Sequence, residues 1–93
     1  MGLTVLLSHI SRAMQFNYQD KHYHTIRASD LQRDGMGLEL HLGSRTVAEV
    51  FYSDITGDFT ISLFEQSLPL PVIERLIAAA RVDLLPTEAS LDR

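Results

Sequence analysis

Between Met36 and Leu63 the chain repeats one pattern three times: apolar residues at every second position, then a short polar turn. A period of two sends alternate side chains to opposite faces of an extended strand, so each run has one apolar face and one wet face. In the first run Met36, Leu38, Leu40 and Leu42 alternate with Gly37, Glu39 and His41. Gly43-Ser44-Arg45 turns the chain, and Thr46 to Tyr52 forms the second run, with Ala48, Val50 and Tyr52 on the side opposite Glu49. Ser53 to Asp58 makes a longer turn before Phe59, Ile61 and Leu63 alternate with Thr60 and Ser62. Strands joined by connections this short pair as an antiparallel meander.

A sheet with one apolar face has to bury it, and the next segment supplies the cover. From Pro71 onward, Val72, Ile73, Leu76, Ile77, Ala80 and Leu84 recur at helical spacing, while Glu74, Arg75, Arg81 and Asp83 occupy the other side. Proline suits a first helical position because its missing N–H has no helical partner there, and Pro86 ends the pattern. Glu74 in the first turn and Arg81 in a late one are expected to complement the helix dipole.

Upstream, Phe16 and Tyr18 alternate with polar residues, Gln19-Asp20-Lys21 reads as a turn, and His22 to Ile26 returns as a second strand of a hairpin. Ala28 to Gly35 is a polar connection in which Gly35 is expected to take a positive φ. Leu3, Leu6, Leu7, Ile10, Ala13 and Met14 step by threes and fours, which predicts an amphipathic N-terminal helix. A short strand over Leu3–Leu7 is the competing reading. The expected fold is α+β: an antiparallel sheet of about five strands, hairpin plus three-stranded meander, with a C-terminal helix on one face and the N-terminal helix beside it. Ninety-three residues make room for one core, hence a single domain over 1–93 with 87–93 as a frayed tail.

Composition narrows the setting. The 45% hydrophobic and 22% charged fractions are those of an ordinary globular domain. There is no cysteine, which excludes a disulfide scaffold and thiolate zinc sites and fits a reducing, cytoplasmic compartment. The opening run Met1 to Leu7 lacks a basic segment and breaks at Ser8-His9, so a signal peptide is not expected. Leu6 stands where a myristoylation motif wants Ser or Thr, and no apolar run approaches a membrane span.

Charge is uneven. Over residues 1–46, Arg12, Lys21, Arg27, Arg33 and Arg45 outnumber Asp20, Asp30, Asp34 and Glu39 by one. Over 47–93, Arg75, Arg81 and Arg93 face Glu49, Asp54, Asp58, Glu65, Glu74, Asp83, Glu88 and Asp92, which completes the net charge of −4. Nucleic-acid binding draws on clustered Lys and Arg to neutralise phosphate, so nucleic acid is not an expected partner.

His22 and His24, two apart on a strand, share a face with Asp20 close by, a weak start for a metal site without any established ligand spacing. Asp54 and Asp58 flank Gly57, with Glu65 after the next strand; turn chemistry accounts for them more readily than a cation or base role. No Gly-rich phosphate loop, nucleophile elbow or Ser/His/Asp set is present, so no catalytic residue and no cofactor are expected.

What remains is surface. Val47, Glu49 and Phe51 share the face opposite Ala48, Val50 and Tyr52, so either the N-terminal helix covers that face or an aromatic is exposed. The candidate protein-binding residues are Glu39, Glu49, Phe51, Asp54, Asp58 and Glu65. They point to a non-catalytic, acidic inhibitor of a partner protein that is itself basic, such as a toxin-immunity protein, an antitoxin or a phage-encoded inhibitor. The alternative is an accessory domain that self-assembles as a homodimer through a sheet edge or the Val47/Phe51 face; a metal-dependent enzyme ranks third.

Overall fold

The computed structural model describes residues 14–84, and the segments 1–13 and 85–93, with the expected N-terminal helix and frayed tail, lie outside the described residues. Five strands run in sequence order as one antiparallel sheet: β1 (Gln15–Tyr18), β2 (Lys21–Asp30), β3 (Gly35–Leu42), β4 (Arg45–Ser53) and β5 (Phe59–Leu63). One helix, α1 (Leu70–Asp83), follows them. The fold is the expected α+β arrangement. Hairpin and meander are continuous because β2 runs to Asp30, so it pairs with β3 from Tyr23↔Leu42 to Asp30↔Gly35 and shrinks the polar connection to Leu31–Asp34.

The register sorts the side chains into two faces. Phe16, Tyr23, Thr25, Leu38, Leu40, Ala48 and Val50 share one, and α1 lies across it. Val72, Leu76, Ala80 and Leu84 step along the underside of the helix into the same buried cluster. Each Leu or Val taken fully from water there contributes roughly 1.5–3 kcal/mol. Thr25 is the buried polar exception, and it is satisfied: its Oγ1 accepts from the Met14 N–H at 3.0 Å. At the sheet's first edge Phe16 stacks on Tyr23 with ring centroids 5.4 Å apart, and the Arg75 guanidinium sits 4.4 Å above the Phe16 ring.

A β-bulge resets the alternation. The β3–β4 register passes from Leu40↔Ala48 to His41↔Thr46, leaving Val47 as an extra residue. Val47 therefore turns into the helix-covered core beside Ala48 instead of joining Glu49 and Phe51 on the opposite face. An inserted residue shifts the parity of everything beyond it, which strict period-two reading cannot register.

Local chemistry sets the ends of the elements. Pro69 caps α1 through its carbonyl, which accepts from the Val72 and Ile73 N–H groups at 3.0 and 3.2 Å. Arg81 lies in the last turn as expected, but the first turn carries no acid; Glu74 falls just beyond it. Two turns hold non-glycine residues in the left-handed region: Gln19 and Asp20 at φ 49° and 68° in the two-residue β1–β2 turn, and Asp34 at 54°. Asp34, and not Gly35, absorbs the positive φ of the β2–β3 turn.

Two stability effects follow. Leu76→Ala leaves a void beneath the helix and should lower unfolding stability by about 2–5 kcal/mol in a urea titration. Asp20→Gly relieves a left-handed residue in a turn of the type that favours glycine and should raise stability by about 0.5–1 kcal/mol in the same assay.

Candidate protein-binding surface

The face opposite α1 is polar, and a single arginine organises its centre. Glu39 and Glu49 are cross-strand partners, an arrangement of like charges that destabilises a sheet unless each finds a counter-group. Glu39 accepts a hydrogen bond from His41 Nε2 at 2.9 Å. Glu49 accepts from both terminal nitrogens of Arg33 at 3.2 and 3.0 Å. Arg33 also donates from Nε to Asp30 at 2.5 Å and spreads its guanidinium 4.0 Å above the Phe51 ring.

Phe51 is 7% exposed, and the β2–β3 loop lays Arg33 back over its ring. Glycine makes room beneath. A Cβ at Gly35 would strike the Tyr52 carbonyl and the Phe51 ring, and one at Gly37 would strike the Glu49 carboxylate. Hydrogen bonding to Arg33 holds the Asp30 carboxyl below its ordinary range, and the carboxylates of Glu49 and Asp30 push the Arg33 guanidinium higher still.

The histidines lie along the same face. His22 donates from Nδ1 to the Asn17 side-chain oxygen at 2.6 Å, and His24 stacks on His41 with centroids 5.1 Å apart. Among the described residues, no three His, Cys, Asp or Glu side chains converge as a metal-holding group. Two of the depressions among the described residues stand out. One, of about 180 Å³, lies between α1 and β5 against Phe59, Ile61 and Ile77; the other, of about 230 Å³, lies among Tyr18, Lys21, Arg45 and Leu68. Both fall below the 300–1,000 Å³ or so of ordinary small-molecule sites.

The acids named from sequence divide into three places. Glu39 and Glu49 belong to the polar face. Glu65 lies at the far end of β5, 3.6 Å from Arg45. Asp54 and Asp58 sit in the β4–β5 loop, where Ser53 and Thr56 perform the turn chemistry expected of them: Ser53 Oγ accepts from the Ile55 and Thr56 N–H groups, and Thr56 Oγ1 from that of Asp58, each at 3.2 Å.

That division frees carboxylates at one end of the sheet. The Asp54 N–H donates to the Asp34 carbonyl at 2.8 Å and ties the β2–β3 and β4–β5 loops together. Asp34, Asp54 and Asp58 thus crowd onto one tip, and none has an ion-pair partner among the described residues. The same two loops hold Leu31 and Ile55, 88% and 74% exposed. Asp34, Leu31 and Ile55 were absent from the sequence-based set, although an apolar residue inside an otherwise polar turn is a signal that could have found Leu31 and Ile55.

No protein-family model, no curated protein and no solved structure matches the chain. Among the described residues no helix is long and apolar enough to cross a membrane.

Arg33→Ala uncovers Phe51 and leaves Glu49 facing Glu39; thermal or urea unfolding should show a loss of about 1 kcal/mol near neutral pH. Because the Asp30 pKa is depressed in the folded state, its contact with Arg33 contributes fully above the unfolded carboxylate value, about 3.9, and fades as the pH falls through the folded one. The gap between wild type and Arg33→Ala should accordingly narrow in a pH series taken below about 4.

Proposed function

We propose that this chain is a non-catalytic protein-binding domain that neutralises a basic partner in a reducing, cytoplasmic setting, with the loop tip as its working surface. The observation that carries the reading is the tip itself: Asp34, Asp54 and Asp58 without ion-pair partners among the described residues, beside the exposed Leu31 and Ile55 on two loops joined by a hydrogen bond. Apolar side chains ringed by acids suit a protein interface, where the apolar residues give up water and the charges direct approach. An immunity protein, antitoxin or phage-encoded inhibitor works in this way, by occupying a cationic surface.

Capture from lysate by the immobilised full chain, compared with Asp54→Lys/Asp58→Lys, tests the reading. The wild type should retain a basic protein at 50 mM salt, the variant should lose it, and the association rate should fall by about tenfold or more in 500 mM salt. Equal capture by both proteins, indifferent to salt, would exclude the tip as the binding surface.

A further inference from the structure

We propose that β5 is a self-pairing edge and that two copies of the chain join there about a two-fold axis through Ile61. The inference goes beyond the tip reading and uses a different surface. In the strand order β1-β2-β3-β4-β5, the last strand has a hydrogen-bonded neighbour on one side alone among the described residues.

The direction of the edge groups follows from the bonds β5 already makes. The Phe64 N–H donates to the Val47 carbonyl at 3.0 Å, and the Asp58 carbonyl accepts from the Ser53 N–H at 3.1 Å. Even-numbered residues therefore aim their backbone groups at β4. The β4–β5 register is unbroken from Tyr52↔Phe59 to Ala48↔Leu63, so the N–H and C=O of Phe59, Ile61 and Leu63 all face outward.

Edges in stable monomers are protected by charge, proline or a bulge. Phe59-Thr60-Ile61-Ser62-Leu63 has no charged residue and no proline, and its pairing with β4 contains no bulge. Ile61 and Leu63 are 43% and 51% exposed on the helix side. Beside them runs the groove of about 180 Å³, lined by Val50, Phe59, Ile61, Ile77 and Arg81.

The segment is complementary to itself. With Ile61 opposite Ile61 of the second copy, Phe59 meets Leu63 and Thr60 meets Ser62. Apolar residues then face apolar ones on the helix side, and hydroxyl faces hydroxyl on the other. The same register pairs outward residue with outward residue, which gives every outward N–H and C=O of both copies a partner. Leu63 of the second copy also arrives beside Phe59, at the mouth of the groove.

Charge agrees with this occupant. In a chain of net charge −4, the paired block is neutral, and the two Asp58 residues, six positions apart along the pairing, are separated by about 20 Å. That is more than twice the screening length of about 8 Å at physiological salt. Asp58 and Glu65 of the second copy come nearer in register, but they point to opposite faces of the sheet.

Sedimentation equilibrium of the full chain over a dilution series, with amide exchange of the wild type at its two concentration extremes, tests the proposal. Twice the chain mass is expected at the concentrated end, with the Phe59, Ile61 and Leu63 amides losing protection on dilution. Ile61→Lys should be monomeric at all concentrations, whereas Ile55→Lys, on the tip, should keep the wild-type mass. A wild type that stays monomeric, or a dimer in which those three amides exchange freely or that Ile61→Lys leaves intact, would overturn it. The exchange measurement needs no variant, so a poorly folded Ile61→Lys does not blunt the test. Salt-sensitive capture through Asp54 and Asp58 is read separately, and either idea fails without the other.

Discussion

The burial of Val72, Leu76, Ala80 and Leu84 against Leu38, Leu40, Val47, Ala48 and Val50 is the contact on which the rest of this molecule depends. A five-stranded meander has one face that water rejects, and α1 is the cover for it among the described residues. Its side chains fall on the central strands β3 and β4, leaving the flanks to separate devices. Arg75 closes over Phe16 at one edge, and on the other the sheet runs past the helix to Ile61 and Leu63. One helix is too narrow to roof five strands, and the uncovered margin at β5 is a direct result.

The opposite face reaches order by another route. Its centre holds the buried ring of Phe51 and two glutamates set against each other across β3 and β4. Arg33 resolves both at once, because a planar guanidinium can lie flat on a ring while its edge forks to a carboxylate. Gly35 and Gly37 complete the arrangement by removing the atoms that would lift Phe51 and Glu49 off the sheet.

Most of this architecture was legible because period and turn chemistry are local signals. The strands at Met36–Leu42 and Phe59–Leu63 and the helical stripe from Val72 to Leu84 were read almost to the residue. Three features were not. The bulge at Val47 is a disagreement between two strands, visible only when they are paired. The shelter of Phe51 depends on an arginine eighteen positions earlier, at the end of a loop whose direction no periodicity encodes. The loop tip arises because an N–H of Asp54 finds the carbonyl of Asp34 across a gap of twenty residues, while Ser53 and Thr56 displace the aspartates from the turn bonds expected of them. Residue type gave the composition of a binding surface; its assembly came from the tertiary pairing of loops.

The order of elements along the chain has a bearing on its birth. Each strand pairs with the one made just before it, so zipping up the sheet requires no distant segment and can keep pace with synthesis. The helix that shields its oily side is made after all five strands. Until α1 leaves the ribosomal tunnel, a nascent chain with all five strands finished displays Leu38, Leu40 and Val50 to water, a moment at which chaperones have most to hold.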